Sequence, residues 1–347
     1  MKLYGGIDLH SNNSVIALLD EQDSVVLRRR EANDLERVLG DLEPYGDGIE
    51  GLVVESTYNW YWLVDGLMAA GYRVHLANTA AIVQYEGLKY ADDDTDARWL
   101  AKLLRLGLLP EGYIYPKEER PVRDLLRRRS HLVHQRTSNI HSIQNLMARN
   151  RGRSLSANQI KRLTEEDVER LLPNADLALA VKGNLTVTHT LDEVIGALEK
   201  RVKARIKLRP EFKLLLTVSG IGQILGLTIM LESGEMTRFA KVGNYASYCR
   251  CVGSEHLSNG KRKGRGNTKN GNKYLAWAFV EAANFAVRYN PQIKRYYQRK
   301  CARTHPVVAI KTVAHKLARA CYDGHKPSIV PGRLQGRDPA HLDMAGH

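Results

Sequence analysis

Along the first hundred residues the apolar positions change period. Leu3–Asp8, Ser14–Leu19 and Ser24–Arg30 read as three strands, separated by the polar turns His10–Asn13 and Asp20–Asp23, a spacing that predicts an antiparallel meander. Leu35–Leu42 reads as a helix, and Gly51–Glu55 is a short apolar run of the kind buried strands show. Tyr58–Ala70 has helical spacing and ends at Gly71, and Tyr72–Ala77 reads as another strand. Asp92–Leu106 reads as a helix whose acidic start suits its dipole. Three hairpin strands followed by alternating helices and strands predict a ribonuclease-H-like α/β layer.

From Arg120 to about Met147 one long helix is expected. Leu126, Val133, Ile140 and Met147 fall every seven residues, and Ile143 joins that stripe. Arg127, Arg128, Arg129, Arg136 and Arg149 sit around it; they read as a solvated face or, on a chain this basic, as a nucleic-acid contact. Arg151-Gly152-Arg153 breaks the helix. Residues 155–208 are helical but polar, and Leu191–Ile206 carries apolar residues at the spacing of half a coiled-coil hairpin. That segment reads as an arm or oligomerisation element. Residues 210–322 read as a mainly helical domain, with helices near Tyr274–Tyr289, Pro291–Cys301 and Val307–Tyr322. Its Thr217–Gly222 turn is similar to the hairpin of a helix-hairpin-helix, where the amides of Gly220 and Gly222 would meet a DNA phosphate. The tail from Lys326 is rich in Pro, Gly and Arg and reads as disordered. The expected division is 1–153, a catalytic α/β domain; 154–208, a helical arm; 209–325, an α domain; and 326–347, the tail.

Composition narrows the partner. The 347 residues are 43% hydrophobic, enough for real cores, and carry a formal net charge of +14. That charge points to a polyanion. No apolar run spans a bilayer, and Met1-Lys2-Leu3-Tyr4 runs straight into a strand, so a cytoplasmic protein without a membrane partner is expected. The four cysteines, Cys249, Cys251, Cys301 and Cys321, lack zinc spacing and read as buried thiols.

Two constellations carry chemistry. The first is Ser258–Lys273, with six cationic side chains, four glycines and no carboxylate. Such a loop lets backbone approach phosphates while Lys261, Arg262, Lys263, Arg265, Lys269 and Lys273 neutralise them. Ser258 at its start reads either as a nucleophile aimed at a phosphate or as part of a sequence-neutral nucleic-acid contact. The second is a set of acids. Asp8 ends the first strand and Glu55 ends the buried strand; in a ribonuclease-H-like sheet these strands are neighbours, so the two carboxylates come together. Burying two anions side by side is costly unless a cation lies between them. Asp93 and Asp96, three apart on a helix, share a face. Four such carboxylates suit two Mg²⁺ ions. Separately, Asp8 also reads as a turn residue and Asp92–Asp94 as an N-cap cluster.

The chain resembles the DEDD-type insertion-sequence transposases whose mobile elements encode a bridge RNA. The matching motifs are Gly6-Ile7-Asp8, Val54-Glu55-Ser56-Thr57, Asp93-x-x-Asp96-Ala97-Arg98, Ser219-Gly220-Ile221-Gly222 and the loop from Ser258 to Leu275, in the family's order. The resemblance implies a RuvC-like catalytic domain, a coiled-coil arm and a C-terminal transposase domain. It implies that Asp8, Glu55, Asp93 and Asp96 form a metal-binding tetrad. It implies that a serine, by position Ser258, attacks DNA and forms a covalent phosphoserine link. Also implied are dimers assembling to a tetramer, with domains of different subunits completing each site, and a guide RNA that pairs donor and target DNA. Two departures leave alternatives open. Ala91-Asp92-Asp93 replaces the usual Lys-Thr-Asp, so the register among Asp92, Asp93 and Asp94 is free, and a shortened segment after Val252 makes Ser254 a second candidate nucleophile. Two other readings compete: a metal-dependent nuclease in which water attacks, such as a junction resolvase, and a non-enzymatic nucleic-acid-binding protein.

Overall fold

The computed structural model describes residues 1–82, 93–206, 209–253, 255–259, 261–265 and 270–325. By compactness the chain divides into two units, Met1–Lys117 with Ser254–Asn270, and Glu118–Gly253 with the residues from Gly271 onward.

In the first unit the elements run β1 (Leu3–Leu9), β2 (Asn13–Leu19), β3 (Val25–Ala32), α1 (Leu35–Leu42), β4 (Ile49–Glu55), α2 (Tyr61–Ala69), β5 (Val74–Ala77) and α3 (Asp93–Arg105). The sheet order is β3-β2-β1-β4-β5. The first three strands are antiparallel, as their short polar turns require, and β4 and β5 run parallel to β1. This mixed sheet with helices fits a ribonuclease-H-like fold.

The period-2 rule sorts the sheet into two faces. Ile7, Ile16, Leu52 and Val54 pack with Leu63 and Leu67 of α2 on one side. Val15 and Ala17 meet Ala97 of α3 on the other, where Val53 and Ala77 meet Leu100. Gly6 explains how close α3 lies. A Cβ at that position would come 1.9 Å from the Ala97 carbonyl oxygen and 2.7 Å from the Ala101 nitrogen. Only glycine lets the helix backbone rest on β1, and that contact brings the first turn of α3 over the end of the strand.

The helix expected from Tyr58 begins at Tyr61. The difference has a local cause: the Asn59 side chain donates to the His10 carbonyl at 2.9 Å, which holds the preceding residues in a turn.

The same unit contains the hairpin of β6 (Glu255–Ser258) and β7 (Lys261–Arg265), with Ser258 paired to Lys261. The basic loop is thus in part a β-hairpin. Asn259 takes φ +51°, the left-handed conformation an Asn-Gly turn requires.

In the second unit two 32-residue helices, α4 (Arg120–Arg151) and α7 (Ala175–Ile206), run antiparallel, with short α5 (Ala157–Ile160) and α6 (Glu165–Leu171) between them. Gly152, at φ +71°, ends α4 as its sequence suggests. Leu132, next to Val133, takes the buried position midway along α4, because a straight helix of 3.6 residues per turn drifts away from a seven-residue repeat. The remaining helices are α8 (Pro210–Leu215), α9 (Gln223–Ser233), α10 (Val242–Tyr248), α11 (Lys273–Tyr289), α12 (Pro291–Cys301) and α13 (Pro306–His325). They enclose a core around Tyr245, Phe279 and Tyr322. All four cysteines are free, and burial pushes the Cys251 and Cys321 thiols up to about 12. No helix among the described residues is long and apolar enough to cross a membrane.

Candidate active site

Three elements of the first unit, β1, β4 and α3, deliver carboxylates to one place. Asp8 lies near the end of β1, 4% exposed. Ile7 pairs with Val54, so the register sets Asp8 beside Glu55 at the end of β4, both on the face that α3 covers. Burial pushes the Glu55 carboxyl up to about 8, and a hydrogen bond to Asp8 and the charges of Asp8 and Asp96 add to the shift. Three acids are therefore close enough that one is protonated near neutral pH.

Asp93 is held by a different set of partners. Its Oδ2 lies 2.6 Å from an Arg30 guanidinium nitrogen and 3.3 Å from His10 Nε2. Arg30, and after it His10, hold this carboxyl below the usual carboxylate range. His10 Nε2 also lies 3.3 Å from Asp8 Oδ2, so the imidazole stands between the two acids. The neighbouring Asp94 turns away to Arg28 at 2.7 Å. Within the acidic run, the face of α3 that carries Asp93 and Asp96 is the one that meets Glu55 and His10.

His10 and Arg30 were missed by sequence reasoning. Arg28 and Arg30 alternate along β3, so both reach the α3 face, a signal the strand period carried. His10 is fixed by its backbone: Asn33 and Asn59 both donate to its carbonyl, at 3.0 and 2.9 Å, and Ser14 donates to Asn33 at 2.8 Å. Nε2 is buried yet makes no hydrogen bond of good geometry. Atoms of Asp8, His10 and Asp93 all fall within 4.8 Å of one another. An imidazole nitrogen and two carboxylate oxygens converging this closely suit a divalent cation.

Residues 5–150 match the family profile DEDD_Tnp_IS110, a transposase, and residues 212–298 match the Transposase IS116/IS110/IS902 family. The chain carries IS110-family transposase domains. No curated protein matches it.

The first transposase match contains Asp8, Glu55, Asp93 and Asp96. The second contains the Ser258 hairpin. Ser258 is the last residue of β6, directly before Asn259. Lys261 opens β7 and is exposed, and Arg262, Lys263 and Arg265 follow it in that strand. Asp92, Ser254, Lys269 and the tail from Lys326 lie outside the described residues, as do the side chains of Ser258, Arg262, Lys263 and Arg265.

Several cations expected to face nucleic acid have partners within the chain. Arg127 forms a two-pronged pair with buried Glu232 at 2.6 and 2.7 Å, and its guanidinium lies 4.7 Å over the Tyr274 ring. Arg129 pairs with Glu199 at 2.8 Å, and Arg136 pairs with Asp192. Arg128 is exposed. Lys273 opens α11, exposed, 5.3 Å from the Tyr274 ring.

The two glycines of the Thr217–Gly222 turn differ. Gly220, at φ +87°, packs on α11, where a Cβ would come 2.1 Å from the Ala282 carbonyl oxygen. Gly222 opens α9 with nothing within 4 Å of its would-be Cβ. The turn lines a cleft of about 610 Å³ together with Lys203 and Phe285.

Proposed function

We propose that this chain is a transposase that cuts and rejoins DNA strands, with Ser258 as the attacking group and Mg²⁺ held by Asp8, Glu55, Asp93 and Asp96, His10 adding a nitrogen. The observation that carries the reading is Glu55, raised to about 8 because it is buried against Asp8 and near Asp96. Anions gathered this tightly destabilise the fold unless a cation neutralises them. When bound, the cation supplies charge stabilisation at the scissile phosphate.

The chain's own groups do the rest. Ser258 sits at the tip of a hairpin in the same compact unit as the acids. Its Oγ forms a bond to phosphorus, the bond to the 3′ oxygen breaks, and the serine proton is balanced by the proton gained at that 3′ hydroxyl. The resulting ester keeps the bond energy, so the strand can be joined to a new 3′ end without a nucleotide cofactor. Lys261, Arg262, Lys263 and Arg265 hold the strand's phosphates. A guide RNA and a tetramer built from dimers follow from the resemblance, and the net charge of +14 and the long α4–α7 pair are compatible with both.

The test is to trap the protein with its guide RNA and cognate DNA in Mg²⁺ and look for a denaturant-resistant protein–DNA adduct. The expected result is an adduct in wild type that disappears in both Ser258→Ala and Asp8→Asn. Cleavage without adduct, retained in Ser258→Ala, makes water the nucleophile and the chain a metal nuclease. Activity untouched by Asp8→Asn removes the acidic site from the reaction altogether.

A further inference from the structure

The second unit has a surface that the proposed chemistry does not use. Between Ala282 and Tyr322 the chain has nine Lys and Arg residues and no carboxylate. Arg288 at the end of α11, and Lys294, Arg295, Arg299 and Lys300 on α12, are all exposed, and none makes an ion pair among the described residues. Elsewhere in the same unit arginines are matched to acids, as Arg127, Arg129 and Arg136 are. Cations left together without counter-charges repel one another, and an arriving polyanion relieves that repulsion.

Aromatic rings lie in the same place. Phe285 is 43% and Tyr289 69% exposed. Their rings are nearly parallel, 8° apart with centroids 6.4 Å apart. The Arg288 guanidinium lies 5.3 Å from the Tyr289 ring centre. Phe285 also walls the cleft beside the Thr217–Gly222 turn. The turn is fixed to this corner by Asn290, which caps α12 through Gln292 and Ile293 while donating to Ser219 Oγ at 3.0 Å. Two large rings held in water at a rigid helix junction lose apolar burial unless something stacks on them.

We propose that the α11–α12 corner is a second nucleic-acid site that takes an unpaired strand, with bases stacking on Phe285 and Tyr289 and phosphates lying along Arg288, Lys294, Arg295 and Arg299. The exposed rings decide for a single strand, because duplex bases already stack on each other and present only their edges. DNA and RNA share this chemistry. The site rests on the transposase reading only for having a nucleic acid as partner, and it needs no strand cleavage.

The experiment measures binding of fluorescently labelled oligothymidine, oligouridine and a mixed-sequence duplex to the full chain in EDTA, across a salt series. Phe285→Ala/Tyr289→Ala should weaken single-strand binding by about tenfold or more, with the salt slope unchanged. Arg295→Gln/Arg299→Gln should lower the slope by about 1.4, two phosphate contacts at about 0.7 each. Tighter binding of oligouridine or of oligothymidine identifies the source, and either result supports the site. Circular dichroism confirms that the variants fold. Wild-type affinity and slope in both variants overturn the proposal. So does a duplex that binds as tightly as single strands and ignores loss of the rings. Failure of the adduct experiment leaves these measurements unaffected.

Discussion

Gly6 lies directly beneath the backbone of Ala97, with room for a hydrogen and no more: a Cβ there would come 1.9 Å from the Ala97 carbonyl oxygen. Gly6→Ala must push α3 off the sheet, since neither backbone can yield cheaply. The expected loss is about 1–3 kcal/mol, the usual cost of overpacking, together with weaker divalent-cation binding because Asp96 moves with the helix. Gly40 in α1, exposed with nothing within 4 Å, is the contrast. Gly40→Ala should raise stability by about 0.5–1 kcal/mol. Denaturant unfolding of both variants checks the pair.

Glu55 makes stability fall with rising pH in metal-free buffer. Its carboxyl titrates near 8 when folded, against an ordinary value of 4.5. Between those values the folded chain holds a proton that the unfolded chain has released, so its contribution is fully present below about 4.5 and lost as pH rises through about 8. Glu55→Gln should flatten that part of a melting-temperature profile and be more stable than wild type at alkaline pH. If the two profiles run parallel, Glu55 is not the group responsible. Cation binding at neutral pH should also release close to one proton, measurable by calorimetry in buffers of different ionisation enthalpy.

Arg30 competes with a cation for Asp93. Arg30→Gln removes a positive charge from the cluster and frees an Asp93 oxygen. Mn²⁺ affinity by calorimetry should rise by about fivefold, the effect of roughly 1 kcal/mol of electrostatic repulsion at a partly exposed site. Asp93→Asn should weaken it. An unchanged affinity in both would place the cation away from Asp93.

Arg127 neutralises a carboxylate that has almost no access to water, since the Glu232 side chain is 2% exposed. Asn272 also donates to Glu232 at 2.8 Å while capping α11. Arg127→Ala should cost about 3–5 kcal/mol, because it strands a buried charge. Arg127→Met with Glu232→Gln should recover much of that in equilibrium unfolding. Equal losses in the single and double variants would mean that packing, not charge, sets the cost.

Strand and helix positions were largely legible in the sequence because burial imposes a period, and each face of the sheet shows it. The neighbours Asp8 and Glu55 were legible too, since each ends an apolar run. The arginines of α4 were not. Whether Arg127 faces solvent or Glu232 depends on a partner 105 residues away, which no local pattern reveals. Gly220 carries a packing role that the sequence did not show: its positive φ and its approach to Ala282 leave no room for a side chain. The hairpin at Ser258 had its signal in Asn259-Gly260, masked by the glycines and cations around it. His10 stands two residues beyond Asp8, and only the clamp formed by Asn33 and Asn59 makes it converge with the acids.

The α4–α7 ion pairs also set an alignment. Arg129 meets Glu199, and seven residues further along Arg136 meets Asp192, seven residues back. Apolar contacts alone tolerate sliding by a heptad, because one leucine replaces another. Here such a slide would bring Arg136 to Glu199 but leave Arg129 against Ile206 and Asp192 against Ile143, two charges facing hydrocarbon. The two helices are therefore keyed like a lock with one accepted position, so whatever is carried at the far end of the pair stays at a fixed distance from its base.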